Sequence, residues 1–429
     1  MLIPVLFSSF IVFLLFTVPI GIALGLASVL TIYVTSVISL ETFAQTMIAG
    51  LNSFPLMAVP LFTFAGDIMG RGGISKRLLG VAGLLFGRFT GGLGMVAIAA
   101  CLFFAAISGT GSATVAAIGF IMIPSMVNKG YDKVFSSSMI ASAGTVGVII
   151  PPSIPMVIYS IAAGVSVSGM FIAGVIPGLL VGLVLMGYTW IYSKRHGYTG
   201  DSTHYTLRQS IKIIIEAVPA LLVPVIVLGG IYGGVFTPTE AASIAVVYGI
   251  FVSLFVYKEV DAKSLPAIAF NSVLICSTVL IIIGTSAGFG RILTISQVPV
   301  RIAEFILGIT TNTYLIIFMI NIMLLIVGTF METNASIIIL VPILLPVIQQ
   351  IGIHPIQFGV IMVLNLAIGF ITPPLGANLF MAVQVSGIKF DDIAKGIVPW
   401  IIVLIIVLAL ITVIPALTLW LPNILGVAI

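Results

Sequence analysis

Two short polar stretches interrupt long apolar runs of this chain, and both carry groups that can bind a small cation. The first is SGTGSAT at residues 108 to 114, and the second is FMETNAS at residues 330 to 336. Hydroxyl groups, amide oxygens and backbone carbonyls are the hard ligands that hard cations prefer. Glycines at 109 and 111 allow the first stretch to turn tightly enough to aim its carbonyls. These types and spacings predict ion coordination at two tips.

Each polar tip is followed by a Pro–Pro pair inside a further apolar run. The two runs read GVIIPPSIP at 147 to 155 and GFITPPLGA at 369 to 377. A proline inside a helix frees a carbonyl about one turn earlier, so both helices are predicted to be unwound there. The freed oxygens would lie near Gly147 and Val148 in the first run, and near Gly369 and Phe370 in the second.

The tips and Pro–Pro pairs belong to one internal repeat with a constant offset of 222 residues. The matched pairs are Ala113 and Ala335, Pro124 and Pro346, Gly130 and Gly352, Gly147 and Gly369, Pro151 and Pro373, Pro152 and Pro374, Gly174 and Gly396, and Pro177 and Pro399. So many matches in one register are hard to obtain by chance. We predict a first repeat over 1–200, with a hairpin near 93–127 and a broken helix at 134–165. The second repeat covers 201–429, with a hairpin near 312–349 and a broken helix at 356–386.

The composition places these elements in a membrane. Hydrophobic residues make up 60% of the chain and charged residues 7%, and the mean hydropathy is +1.34. These values are typical of an all-α polytopic membrane protein. Further spans are predicted near 2–18, 20–38, 52–70, 170–193, 213–233, 238–257, 265–286 and 397–422. The segment from 71 to 88 is too short to cross and is expected along the interface.

The two hairpin regions are each broken near the middle, so we expect two re-entrant hairpins with half-length arms of about 14 residues, against about 20 for a full span. With both chain ends outside, this layout places all Lys and Arg residues except Arg291 and Arg301 on the cytoplasmic side. The two repeats are then inverted. Inverted repeats with paired helix breaks are typical of secondary transporters, whose sites lie near the membrane midplane.

Each repeat thus offers one tip and one break, and we predict two sodium sites related by the pseudo-twofold axis of the repeats. The alternative is that the prolines are simple kinks and the small residues are helix contacts. Glu332 either binds a cation or holds the shape of its tip, and Glu240 is expected to cap a helix that begins at Pro238. The candidate residues for sodium and substrate are Ser108, Gly109, Thr110, Gly111, Ser112, Gly147, Val148, Pro151, Pro152, Ser153, Met331, Glu332, Thr333, Asn334, Gly369, Phe370, Thr372, Pro373, Pro374 and Gly376.

Other function classes receive less support from the sequence. HExxH and a paired intramembrane Asp are absent, and the GxSxG match, GTSAG at residues 284 to 288, lies at the end of a predicted membrane span rather than after a strand. An enzyme is therefore not expected, nor any cofactor beyond sodium as the coupling ion. The three histidines lie in predicted loops, which favours sodium over protons. A passive channel would not require paired tips with helix breaks.

The tips SGTGSAT and METNAS, the breaks GVIIPPS and GFITPP, and the run GGVFTPTEAA at 233 to 242 occur in an order that resembles the large membrane subunit of tripartite ATP-independent periplasmic (TRAP) transporters. The resemblance covers essentially the whole chain. It implies a multi-pass subunit in the bacterial inner membrane that belongs to a sodium-driven, elevator-type importer. The expected substrates are organic acid anions such as sialic acid or C4-dicarboxylates.

The resemblance also implies partners: a separate small four-helix membrane subunit, a periplasmic substrate-binding protein, membrane lipid and a small organic acid anion, but no nucleic acid. The separate small subunit is expected because the chain begins directly with the large subunit. The alternative is a stand-alone sodium/anion symporter of similar elevator design.

Overall fold

A computed structural model describes residues 2–200, 206–374 and 376–427, and within these ranges every regular element is a helix. The first half contains ten α-helices: α1 Leu2–Leu15, α2 Ile20–Thr35, α3 Leu40–Leu51, α4 Ala58–Arg71, α5 Ile74–Phe86, α6 Gly92–Ser108, α7 Gly111–Asn128, α8 Lys133–Ala143, α9 Ile154–Ala163 and α10 Val167–His196. Short 3₁₀ turns precede α4 and follow α8.

The second half contains eleven: α11 Leu207–Tyr232, α12 Pro238–Phe251, α13 Leu265–Ile295, α14 Val298–Ile309, α15 Thr313–Phe330, α16 Thr333–Gln350, α17 Pro355–Gly369, α18 Ala377–Ser386, α19 Phe390–Gly396, α20 Val398–Val413 and α21 Ala416–Ile424. Among the described residues, seven helices are long and apolar enough to cross a membrane, or up to nine if two bent pairs each count as one span. The prediction of an all-helical, multi-pass membrane chain is confirmed.

Local capping chemistry sets several helix starts. Thr237 Oγ1 accepts a hydrogen bond from the Glu240 backbone N–H, while the Glu240 carboxylate accepts from the Thr237 N–H at 2.8 Å. This capping box begins α12 at Pro238, as predicted for Glu240. Asp132 and His354 occupy equivalent positions in the two repeats, and their side chains cap α8 and α17.

Helix bounds recur at the offset found in the sequence. Helices α7 and α16 begin and end 222 residues apart, and so do the starts of α8 and α17. Helix α8 ends at Ala143 and α17 at Gly369, both ahead of the Pro–Pro pairs, and the chain resumes beyond the pairs as α9 and α18, so the two unwound helices are confirmed. Both Pro–Pro peptide bonds are cis. Inversion across the membrane and re-entry of the hairpins stay predictions.

The hairpin arms are longer than predicted. Helix α6 has 17 residues, and α7, α15 and α16 have 18 each. The predicted arm length of about 14 residues was wrong because each tip interrupts helical structure for only two residues, at 109–110 and 331–332. At 1.5 Å per residue each arm is about 26 Å long, against a hydrocarbon core of about 30 Å.

Three other boundaries differ from the sequence prediction. The region 397–422 is two helices, because α20 ends before Pro415 and α21 begins after it. Helix α13 continues to Ile295, well beyond the expected end at 286. Helix α3 lies between two predicted spans, where the Ser39 side chain accepts a hydrogen bond from the Thr42 N–H and starts a helix that hydropathy did not indicate.

In each repeat, the helix that follows the break packs against the hairpin of the other repeat. Helix α9, which follows the first break, packs against α16 of the second hairpin, and α18, which follows the second break, packs against α7 of the first. Helices α2 and α13 pack against each other, and α13 also contacts α16. The first turns of α7 and α16 are thereby brought to one place, with α2 and α13 beside them.

Candidate functional site

A cavity of about 500 Å³ lies where the two tips meet. Its lining consists of residues from the first tip and break (Thr110, Gly111, Ser112, Val148, Ile154, Pro155), from the second (Glu332, Thr333, Asn334, Phe370) and from α2 and α13 (Ile20, Ile275, Thr278, Val279, Ile282). Eight of the predicted site residues therefore line one shared cavity.

The first tip is held against the first break by its backbone. Gly109 has φ +63°, and its carbonyl accepts a hydrogen bond from the Ile154 N–H at 3.3 Å. A β-carbon on Gly147 would overlap the Thr110 carbonyl oxygen and lie 2.7 Å from Thr114 Oγ1. Only glycine at 147 permits this approach, so the tip and the break form one packed unit.

Oxygens of the first tip and the first break already have partners inside the protein. The Thr110 carbonyl accepts from Thr114 Oγ1 at 2.8 Å, and the Val148 carbonyl accepts from Ser153 Oγ at 2.5 Å. In contrast, no side chain caps the start of α7. The first N–H groups of a helix have no partner within it and carry a partial positive charge. The first tip therefore presents an uncapped helix N-terminus to the cavity.

The second tip has the opposite character. The Glu332 carboxylate accepts from the Ala335 N–H at 3.0 Å and from Asn334 Nδ2 at 2.7 Å, which caps α16 and orients the asparagine amide. Asn334 Oδ1 and Thr333 Oγ1 are buried and have no hydrogen-bond partner among the described residues. Buried oxygens without a partner are costly, so these two atoms are suited to a ligand that accepts their lone pairs.

The second break is more open than the first. Pro151 and Pro152 are buried, whereas Pro373 is half-buried and Pro374 exposed. The Gly369 carbonyl accepts from the Thr372 N–H and the Phe370 carbonyl from the Asn378 N–H, both at 3.0 Å. Each of these two carbonyl oxygens keeps one lone pair that is not used in a hydrogen bond among the described residues. Met331 and Gly376 line a smaller cavity of about 240 Å³ beside the second tip.

The remaining predicted residues pack behind the shared cavity. Ser108 Oγ lies 3.2 Å from Thr114 Oγ1, and Thr372 Oγ1 donates to the Ile368 carbonyl at 2.7 Å. Gly369 packs against Gly328 of α15, where an added β-carbon would lie 2.5 Å from the Gly328 Cα. These residues shape the tips and breaks from behind.

Sequence reasoning missed two parts of the site. The aliphatic wall of α2 and α13 could not be distinguished from lipid-facing residues, and Thr278 was the only polar signal in it. Asn378 was also missed, although it is a lone amide directly after the second break. It is fully buried, its Nδ2 donates to the Ala141 carbonyl at 3.4 Å, and its Oδ1 has no partner among the described residues. It wedges against Gly111 and Gly144, and so joins the second break to the first tip.

Charge in the cavity is sparse. Among its described lining residues Glu332 is the single ionisable side chain, and its carboxylate is engaged at the start of α16. The described residues contain no cluster of three or more His, Cys, Asp or Glu that could hold a metal ion. The available ligands are neutral oxygens, which suit an alkali cation, and the N–H groups of α7, which suit an anion.

The chain matches known proteins over nearly its whole length. The family model described as "Tripartite ATP-independent periplasmic transporter, DctM component" matches residues 7–417. The isethionate TRAP transporter permease protein DctMQ of Oleidesulfovibrio alaskensis is 46% identical over 96% of this chain, which spans 65% of that protein's length. The C4-dicarboxylate TRAP transporter large permease protein DctM of Pseudomonas aeruginosa is 41% identical over 95% of each chain.

A solved structure has a similar fold. The YdaH transporter of Alcanivorax borkumensis aligns with a TM-score of 0.62 at 14% identity, covering 87% of this chain and 88% of that one. At this identity the likeness concerns the fold alone.

Proposed function

Because the chain belongs to the DctM family, the large permease subunits of TRAP transporters, we propose that it imports a small organic anion together with sodium ions through the cavity between its two tips. The observation that carries this proposal is the pair of unpartnered buried oxygens, Asn334 Oδ1 and Thr333 Oγ1, on residues that line the same cavity as the uncapped start of α7. One end of the cavity suits a cation, and the other suits an anion.

The second tip is the better-supported cation site. Glu332 fixes the Asn334 amide so that Nδ2 is used internally and Oδ1 is left for a ligand. The carboxylate also provides negative charge close to the proposed ion. Sodium is proposed because neutral hydroxyl, amide and carbonyl oxygens at a helix break bind it without proton transfer. A related site at the first tip, formed by an oxygen lone pair of Ser112 and the lone pairs that the carbonyls near Val148 keep beside their internal hydrogen bonds, completes the two-ion proposal.

The anion is proposed to bind at α7. A carboxylate or sulfonate would accept hydrogen bonds from the first N–H groups of α7 and from the Ser112 hydroxyl. Sodium at the second tip would neutralise part of its charge, since no described lining residue is Lys, Arg or His. Substrate and sodium then favour each other's binding, which is what coupled transport requires.

The cavity wall favours a small anion with few hydroxyl groups. Ile20, Ile275, Val279 and Ile282 are aliphatic, and Thr278 is the single hydroxyl that α2 and α13 contribute. A polyhydroxylated sugar acid would leave many of its hydrogen-bonding groups unpaired against this wall. We therefore propose isethionate-like or C4-dicarboxylate anions rather than sialic acid. In competition uptake, isethionate or succinate should inhibit transport at concentrations where sialic acid does not, and the reverse order would contradict this substrate class.

Two sodium ions would provide enough driving force. At 100 mV each sodium ion gains about 2.3 kcal/mol from the potential, and a tenfold gradient adds about 1.4 kcal/mol. Two ions thus supply about 7 kcal/mol, and a monoanion entering against the potential requires about 2.3. Transport would be electrogenic for a monoanion and electroneutral for a dianion.

The remaining parts of the assembly are proposed from the family. We propose an elevator movement of the hairpins and broken helices against α2 and α13, in the bacterial inner membrane. A small membrane subunit and a periplasmic substrate-binding protein complete the transporter. The name DctMQ of the isethionate relative is consistent with a large and a small subunit in one chain.

Reconstituted uptake tests the proposed function. Vesicles containing this chain and the small subunit are loaded with potassium, and labelled anion is added with or without external sodium and with or without the binding protein. We expect uptake only when sodium and binding protein are both present. Sodium-dependent uptake without any binding protein would instead show a stand-alone symporter, and flux independent of the sodium gradient would show a channel.

A further inference from the structure

A groove of about 540 Å³ lies along α5, outside the proposed transport site. Its other walls are formed by α6, α7 and the start of α11. Helix α5 and the glycine that follows it face the groove with Lys76, Leu79, Gly80, Gly83, Leu84 and Gly87, whose spacing of three and four residues defines a single helix face. Since three of these six positions are glycine, the floor of the groove is largely backbone.

The groove has an apolar middle and a cation at each end. Leu93 and Val96 of α6 and Ile121 and Met122 of α7 form its apolar wall. Lys76 and Arg88 lie 12 positions apart, which corresponds to about 18 Å along a helix. None of its described lining residues is acidic, and neither cation takes part in a salt bridge among the described residues.

We propose that this groove binds one anionic phospholipid, with an acyl chain along the glycine face of α5 and the phosphate at Arg88. Arg88 is assigned the phosphate because a guanidinium binds phosphate oxygens in a bidentate manner. Lys76 lies about 18 Å away at the other end, where screening leaves it only a small attraction for that phosphate. Basic residues beside an apolar groove between membrane helices are the expected recognition elements for an acidic lipid, whereas a zwitterionic lipid gains little from them. The site is independent of the anion that the shared cavity carries.

Gly83 provides a direct test of the acyl position. No atom lies within 4 Å of a β-carbon built on Gly83, so a leucine side chain would enter the empty groove without a clash at its Cβ. Gly187 of α10 has equally open surroundings but lies outside the groove. Gly83→Leu and Gly187→Leu therefore form a matched pair, in which only the first fills the proposed lipid site.

The experiment measures the melting temperature of the purified chain in neutral detergent against phosphatidylglycerol, phosphatidylcholine and glycerol phosphate. We expect a saturable rise with phosphatidylglycerol alone. Arg88→Gln should raise the half-saturating concentration about fivefold and Lys76→Gln by less. Gly83→Leu should abolish the rise, and Gly187→Leu and Arg195→Gln should leave it unchanged.

Three outcomes would overturn the proposal. Equal stabilisation by phosphatidylcholine would show that the cations do not select the lipid. Stabilisation by glycerol phosphate alone would show a free-anion site without an acyl component. An unchanged response in the Arg88 variant would place the lipid elsewhere, and this variant keeps the test decisive even if Gly83→Leu does not fold.

Discussion

Gly147→Ala and Gly369→Ala should each abolish transport, since each puts a methyl group where two backbones meet. The β-carbon at 147 would overlap the Thr110 carbonyl of the first tip, and the one at 369 would lie 2.5 Å from the Gly328 Cα. Backbone atoms cannot rotate away as a side chain would, so tip and break must separate. A misplacement of about 1 Å at a working site costs about a hundredfold in rate. The measurement is sodium-driven uptake per molecule of purified protein.

The control is Gly229→Ala in α11, where no atom lies within 4 Å of an added β-carbon. Alanine is favoured over glycine inside a helix by about 1 kcal/mol, so this variant should keep full uptake and equal or higher stability. Overpacking at 147 or 369 should lower stability by about 1–3 kcal/mol. If either variant transports like the parent, close contact between the tip and its break is not required for transport. The proposed site, which is built from a tip together with its break, would then be contradicted.

The equivalence of Gly147 and Gly369 shows how much of the site could be predicted from sequence. Glycine and proline act through local backbone geometry, so the two breaks and the two tips were found where the structure has them. Hydropathy could not locate the helix ends at the tips. In the first hairpin the apolar pattern continues up to Ser108, where α6 ends, and in the second it resumes from Thr333, where α16 begins. The arms were therefore predicted too short.

The sequence pattern could not predict which distant helices pack against each other. The exchange of α9 and α18 between repeats brings both tips to one cavity, but nothing in either segment specifies which hairpin it will contact. The aliphatic residues of α13 that line the cavity are the same types that face lipid elsewhere on that helix. Asn378 had a readable signal, since an amide next to a helix break in an apolar run is unusual, but its partner Ala141 lies 237 residues away.

The second tip gives the prediction that separates ion binding from packing. Asn334→Ala removes the unpartnered Oδ1 that we assign to sodium and leaves Glu332 to cap α16 through the Ala335 N–H. An interaction with a charged group contributes about 1.5–3 kcal/mol, so the sodium concentration for half-maximal uptake should rise about ten- to a hundredfold. The same shift should be seen when melting temperature is measured against sodium concentration, because an ion that binds only the folded state stabilises it.

Asn365→Ala is the matched control for this variant. Asn365 is also a buried asparagine with an unpartnered Oδ1, but its Nδ2 donates to Asn321 Oδ1 at 2.8 Å and it faces α15 rather than the cavity. Its removal should lower the melting temperature at every sodium concentration by a similar amount, without changing the sodium dependence. Asn334→Ala also removes the hydrogen bond from Asn334 Nδ2 to Glu332, so its melting temperature without sodium should fall as well. Unlike Asn365→Ala, it should in addition weaken the rise of the melting temperature with sodium concentration, because Oδ1 is the atom assigned to the ion. If both variants lower stability equally and neither shifts the sodium dependence, Asn334 is a packing residue and the cation does not bind at the second tip.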